Sequence, residues 1–254
     1  MRLRIKLGIE PGSSIDFNYQ WYLSSAVYSC LSRAAPDFTK TLHDVGFPHL
    51  DGPSFKFFTF SNLWAGRGKT GIDGGKLVFD TDHLLWRFAS PIPAVSTLFA
   101  EGLLSLGTFR IAGLEAEVME VSDEGSPDLG KGSASFSCIS PLVASEADER
   151  LGHRYLTPDQ VSFWAIVENN LYKKWETLHG TAPKDKVLFK PDRDYISSRN
   201  TGKKITIKER YIVKGHLVPF SVEGPPELLS LGYYAGFGSR NSLGFGMVEV
   251  YNRR

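Results

Sequence analysis

Near the end of the chain stands Gly236-Phe237-Gly238-Ser239-Arg240-Asn241-Ser242-Leu243-Gly244-Phe245-Gly246, two Gly-Phe-Gly units around five residues. Glycine adopts positive φ without strain and lets another backbone approach closely. A loop rich in exposed N–H groups and carrying one arginine suits a phosphate chain. Residues 225–233 before it read as a helix. Residues 245–251 after it alternate as a strand.

Working outward from that loop, the second half reads as a strand at 133–140, a helix at 159–179, strands at 187–190, 203–209 and 211–222, then the helix, loop and strand just described. The long helix has an apolar face of Val161, Trp164, Ile166, Val167, Leu171 and Trp175. Thr157-Pro158 places a capping residue before a proline at the first helical position. The first half offers a strand at 2–9, a helix at 19–33 and a short helical turn at 38–45. Strands at 56–60 and 76–80 follow, joined by the glycine-rich 66–75, then a helix at 91–106 and a strand at 109–121. That order is β-α-β-β-α-β, the ferredoxin-like unit. The second half repeats it with a basic hairpin inserted. The expectation is an α+β chain of two tandem ferredoxin-like domains, 1–122 and 133–254, with a C-terminal glycine-rich loop. The acidic segment 122–132 reads as the linker.

The chain has 254 residues, 42% of them hydrophobic, enough for packed cores, and a net charge of +1 that names no partner. The distribution of charge says more. Residues 101–150 hold 3 basic and 10 acidic side chains, whereas 184–217 hold 10 basic and 4 acidic. Such asymmetry fits a polyanion held on one part of the surface, or a solvated charged loop. Cys30 and Cys138 sit in apolar surroundings and read as buried free thiols of a reducing compartment. The opening Met-Arg-Leu-Arg-Ile-Lys-Leu has no apolar signal region, and no stretch is long enough to span a bilayer. A cytoplasmic protein is expected.

Metal and cofactor chemistry find no support. The six histidines, His43, His49, His83, His153, His179 and His216, form no i, i+3 or i, i+4 pair, and no Cys-x-x-Cys exists. Gly66-Arg67-Gly68-Lys69-Thr70 ends like a phosphate-binding P-loop, but Leu63 stands where that motif needs glycine, and no helix follows. It reads as a hairpin loop.

Metal-free cleavage of a phosphate chain by its own neighbouring hydroxyl needs a group to take the hydroxyl proton, a group to protonate the leaving oxygen, and positive charge beside the phosphate. Tyr28, His43, His49 and Lys56 supply these types within one region. In Thr41-Leu42-His43-Asp44, Leu42 would face the core and His43 the solvent. On residues alone, His43 is equally an ordinary exposed histidine, Tyr28 a packed helix aromatic and Lys56 an edge charge.

The doubled glycine loop resembles the C-terminal signature of CRISPR-associated endoribonucleases that cut repeat RNA, in the RAMP superfamily. The first half is similar in order: a basic opening strand, a helix with Tyr22-Leu23 and Tyr28, then Leu42-His43-Asp44, then Lys56-Phe57-Phe58-Thr59-Phe60-Ser61. The resemblance implies His43 as the proton-transfer residue, Tyr28 as its partner and Lys56 on the phosphate. It implies RNA contacts from Gly236, Gly238, Arg240, Asn241, Gly244 and Gly246. Lys190, Arg193, Arg199, Lys203, Lys204, Lys208 and Arg210 become candidates for gripping the repeat. The implied reaction gives a 2′,3′-cyclic phosphate without metal or other cofactor. The implied partner is CRISPR repeat RNA, single-stranded or stem-loop. Other CRISPR effector subunits and a second copy remain open as partners, with no membrane. The rival is a non-catalytic RAMP-type RNA-binding subunit of an effector complex. One departure is the nine-residue connection 45–53, longer than the family pattern, which makes His49 a rival to His43.

Overall fold

The opening strand Arg2–Gly8 lies at the centre of the first sheet, and its alternation builds the first core. Leu3, Ile5 and Leu7 point to one face, directly opposite Phe88, Trp86 and Leu84 of the antiparallel strand His83–Ala89, and all six are buried. Such cross-strand apolar pairs are the unit of sheet stabilisation. The computed structural model describes residues 1–129, 132–150, 152–208 and 210–251. Gly130 and Lys131 of the expected linker and Glu209, where the 203–209 strand was to end, lie outside the described residues.

The first sheet runs Thr59–Phe60, His83–Ala89, Arg2–Gly8, Leu114–Asp123, Thr108–Ile111, all antiparallel. Helix α1 (Gln20–Ala34) covers it with Leu23, Val27, Cys30 and Leu31, the i, i+4, i+7, i+8 stripe of an amphipathic helix. Helix α2 (Pro36–Asp44) starts at once, with proline at its first position. Helix α3 (Pro93–Leu106) adds Val95, Phe99 and Leu103. It crosses α1 so closely that a Cβ on Gly102 would sit 1.8 Å from the Cys30 carbonyl oxygen. Phe99 stacks on Phe88 at 4.1 Å.

The second sheet runs Leu188–Pro191, Phe220–Glu223, Ser133–Cys138, Val248–Val250, again antiparallel. Both sheets place their core strands in the spatial order second, third, first, fourth, the ferredoxin-like order. Helix α4 (Val161–His179) and, beyond the short α5 (Arg193–Ser198), helix α6 (Pro226–Ala235) pack against the second sheet. Phe136, Phe220, Trp164 and Phe237 meet in this second core. The inserted hairpin, Gly202–Ile207 with Tyr211–His216, buries Ile205, Ile207 and Val213.

Five local expectations are corrected. The third core strand is His83–Ala89, not 76–80. Lys76–Phe79 is a strand, but it pairs with Thr70–Asp73 and Ser14–Asp16 in a separate small sheet and buries only Phe79. The 56–60 strand shrinks to Thr59–Phe60, because Phe57 takes φ +49° and leaves the ladder. The 109–121 strand is a hairpin turned at Ala112-Gly113, both at positive φ, as a tight two-residue loop requires. The 211–222 run breaks before Pro219, which has no N–H to give a ladder. Helix α4 is not capped by Thr157: its N-cap is Gln160, whose side chain instead accepts from the Thr157 N–H. Both cysteines are free thiols, Cys30 buried as expected but Cys138 only half-buried. Among the described residues, no helix is long and apolar enough to cross a membrane.

Candidate active site

Helix α2 ends with its residues sorted by face. Leu42 is buried, whereas the next side chain, His43, is 60% exposed. The His43 ring meets Tyr28 of α1 edge-on, centroids 4.9 Å apart at 81°. Tyr28 also packs edge-on against Phe58 at 5.6 Å. Lys56 donates from Nζ to the His43 carbonyl oxygen at 2.7 Å. Nδ1 of His43 lies 2.9 Å from Oδ1 of Asp44. The structure thus brings Tyr28, His43 and Lys56 together, from two helices and the start of the 56–60 segment.

Gly46 makes this convergence possible. Its φ is +68°, and its N–H bonds back to the Thr41 carbonyl, closing α2 with a left-handed residue. A Cβ here would fall 2.6 Å from the Phe55 carbonyl oxygen and 2.9 Å from Nζ of Lys56. Only glycine lets the lysine pass so close to the helix end.

The electrostatics follow from position. Burial pushes the Tyr28 phenol up to about 12, so it keeps its proton at neutral pH. Burial pushes the Lys56 ammonium down, opposed by the charge on Asp44. The hydrogen bond from His43 holds the Asp44 carboxyl below its usual range.

His49 is placed elsewhere. Its ring is 6% exposed, Nδ1 accepts from the Asp51 N–H at 3.1 Å, and Nε2 lies 3.1 Å from Oε2 of Glu176 on α4. An accepting Nδ1 puts the ring proton on Nε2, which donates to Glu176. Both nitrogens are engaged: Nδ1 within the 45–53 connection, and Nε2 in tying that connection to the second half.

The glycine-rich loop packs on itself and on the 141–143 segment, which corrects the expectation of exposed N–H groups for Phe237, Ser239, Gly244 and Gly246. Gly236, Gly238, Gly244 and Gly246 are all buried. The N–H of Phe237 bonds to Gly246, that of Gly246 to Pro141, that of Ser239 to Val143 and that of Gly244 to Asn241. The glycines serve close packing: a Cβ on Gly246 would lie 1.9 Å from the Phe237 carbonyl oxygen. Arg240 and Asn241 are half-buried at the loop's tip, and the Arg240 guanidinium lies 5.9 Å over the Tyr155 ring. Arg240 and Lys56 line one cleft of about 480 Å³, with Phe55, His153 and Lys173 among its walls.

Sequence reasoning missed Lys174 of α4. Its Nζ donates to the carbonyls of Gly236 (2.6 Å) and Gly238 (3.0 Å) and to Oδ1 of Asn241 (2.7 Å). Burial pushes its ammonium down to about 7. The signal was available: Val167, Leu171 and Lys174 follow the i, i+4, i+7 stripe, so a charge falls where an apolar residue is expected.

The basic candidates form two sets. Lys203, Lys204, Lys208 and Arg210 lie on the hairpin and its turn, with Lys208 at 4.4 Å over the Trp21 ring of α1. Lys190 and Arg193 share a groove with Asp192 and Asp194, and Lys190 pairs with Glu223 at 2.5 Å. Arg199 lies 5.0 Å over Tyr195. Among the described residues, no three His, Cys, Asp or Glu side chains converge as a metal site would require.

Residues 14–122 match the family model described as "CRISPR-associated protein Cas6, N-terminal", and residues 124–250 that described as "CRISPR associated protein Cas6, C-terminal". A Methanocaldococcus jannaschii protein named CRISPR-associated endoribonuclease Cas6 1 is 29% identical, over 98% of this chain and 92% of its own. A Pyrococcus furiosus protein named CRISPR-associated endoribonuclease Cas6 is 27% identical, over 98% and 90%. A solved structure of a CRISPR associated protein Cas6 superposes with a TM-score of 0.79 at 28% identity over 99% of both chains. A Cas6-related protein from Pyrococcus furiosus, 23% identical, shares the fold at a TM-score of 0.85, over 100% of this chain and 99% of its own. With both halves matched in tandem and the whole fold superposing, the chain belongs to the Cas6 family of CRISPR-associated proteins.

Proposed function

We propose that this protein is a metal-independent endoribonuclease that cuts precursor CRISPR RNA within its repeats. The observation that carries the reading is the junction of His43, Tyr28 and Lys56 at an exposed helix end, beside a cleft that also holds Arg240. His43, open to solvent, takes the proton from the 2′-hydroxyl. The 2′-oxygen attacks its own phosphorus, the bond from phosphorus to the 5′-oxygen breaks, and that oxygen gains a proton. The products are a 2′,3′-cyclic phosphate and a 5′-hydroxyl. Tyr28 keeps its proton to about pH 12, so it acts as a donor and not as the base. Lys56 offsets the charge that gathers on the phosphate.

Repeat RNA reaches this junction across the cleft, its phosphates held by Arg240 at the tip of the glycine-rich loop and by the basic hairpin. The test is incubation of end-labelled repeat RNA with the protein in excess EDTA, beside His43→Ala and beside RNA carrying a 2′-deoxy nucleotide just upstream of the cut. The expected result is one cut by wild type, lost in the variant and on the deoxy substrate, with binding retained. Cutting of the deoxy substrate would sink the mechanism. Tight binding without any cut would favour a non-catalytic RNA-binding subunit.

A further inference from the structure

Helix α4 carries a cation where its apolar stripe calls for an aliphatic residue. Lys174 is 2% exposed. A buried charge is strongly unfavourable unless its hydrogen-bonding groups are satisfied. Here each of the three ammonium N–H groups has its own acceptor, and all three acceptors belong to the glycine-rich loop.

The third acceptor governs the loop's geometry. With Oδ1 of Asn241 turned to Lys174, the amide Nδ2 faces the other way, donating to the carbonyls of Phe237 (3.2 Å) and Phe245 (2.9 Å). One side chain therefore joins both Gly-Phe-Gly units. A Cβ on Gly236 or Gly246 would stand 2.5 or 2.7 Å from that same Nδ2. The glycines thus make room for the amide, and the lysine fixes its orientation. The adjoining Arg240 takes φ +62°, ψ +30°, a left-handed conformation uncommon for a residue with a side chain. The neighbours on both sides hold it there, through Ser239 N–H to Val143 and Leu243 N–H to Arg240.

We propose that Lys174 is the positioning residue of the glycine-rich loop: its ammonium, through Asn241, holds Arg240 toward the phosphate chain of RNA in the cleft. Lys174 lies in the wall of the cleft, but it is 2% exposed and all three of its N–H groups are engaged by the loop, so it acts on RNA through Arg240. The proposal rests on the reading of this loop as an RNA grip, so its test has one arm without RNA.

In that arm, backbone hydrogen exchange is compared between wild type and K174M, with K174Q, which keeps a donor, as the alternative should K174M not fold. Exchange at the Phe237 and Gly246 amides should rise at least tenfold, with amides of the Arg2–Gly8 strand unchanged. Unchanged loop exchange would overturn the clamp, whatever the protein does with RNA. In the second arm, Kd for repeat RNA and the cleavage rate at saturating protein are measured for K174M, R240A and the double variant. Kd should rise about tenfold in each single variant and no further in the double. The saturating rate should stay within twofold, a split that a general loss of structure would not give. Losses that multiply in the double variant would overturn the proposal, as would a fallen saturating rate at unchanged Kd. If R240A binds as wild type does, RNA is not held by this loop and the positioning role falls with it. A wild type that neither binds nor cuts would remove the functional reading, while the exchange arm would still decide the clamp.

Discussion

At the residue scale, the chemistry turns on what each group can hold at neutral pH. In the proposed mechanism, His43→Ala removes the solvent-exposed proton-transfer group of the junction, and general acid–base contributions run to about 10²–10⁴-fold. Single-turnover cleavage should fall by that factor, with Kd for repeat RNA within threefold or so of wild type. Tyr28→Phe is a finer probe. It keeps the ring that packs on His43 and Phe58 and removes only the hydroxyl. A loss of about tenfold or more in rate at unchanged thermal stability would assign donation to the phenol; an unchanged rate would leave Tyr28 as packing. These three residues were legible only as types in a familiar order. Nothing in the sequence says that Lys56 reaches the His43 carbonyl, because that contact depends on Gly46 taking a left-handed turn between them. His49 shows the converse. It looked equivalent to His43 by type, and only the fold engages both its nitrogens.

At the scale of elements, the helices act as rigid mounts, and two substitutions test them. Gly102→Ala would drive a Cβ to 1.8 Å from the Cys30 carbonyl oxygen, which is backbone and cannot rotate away. Overpacking of this kind typically costs about 1–3 kcal/mol. The melting temperature should fall, and cleavage with it, because Tyr28 lies half a turn before Cys30 on the displaced helix. A wild-type melt for Gly102→Ala would mean that α1 and α3 are not so closely crossed. Lys174 gives a pH signature. Its folded pKa of about 7 lies below the ordinary 10.5, so between those values the unfolded chain binds more protons and stability rises with pH. The penalty for burying the charge is full below about pH 7 and is relieved as pH climbs toward 10.5. Denaturant titrations at pH 7 and pH 9.5 or so should show wild type gaining relative to K174M; a constant difference would contradict it. Element order was legible because long periodic runs such as α1 and α4 announce themselves. The third strand was not, because Lys76–Phe79 is the more strand-like by composition. The alternation of Leu84, Trp86 and Phe88, which decides it, shows its worth only against Leu3, Ile5 and Leu7 across the sheet.

At the scale of the whole molecule, the two halves are joined by contacts that no local reading could supply. Arg2, 1% exposed, donates from Nη1 to the Val248 carbonyl at 2.6 Å and from Nε to Glu124 at 2.7 Å, linking the first strand of one half to the last strand of the other. The inserted hairpin bridges them again, since Asn18 accepts from the Thr206 N–H at 2.7 Å and Lys208 lies over Trp21. Docked this way, the hairpin sets Lys204 directly opposite Lys214. Like charges facing each other across a strand pair destabilise it. The arrangement therefore suits a polyanion, and the argument has a measurable consequence. Replacing both lysines with alanine should weaken binding to repeat RNA and to unrelated RNA by the same factor, because phosphate contacts carry no sequence information. The slope of log K against log salt should become shallower by about 1.4–1.8, two contacts at about 0.7–0.9 each. Thermal stability should hold or rise, since the facing charges are gone. Filter-binding titrations over about 50–200 mM salt would read the slope. An unchanged slope in a folded double variant would place the RNA away from Lys204 and Lys214 and shift the grip to Arg240, the cleft and the remaining basic candidates.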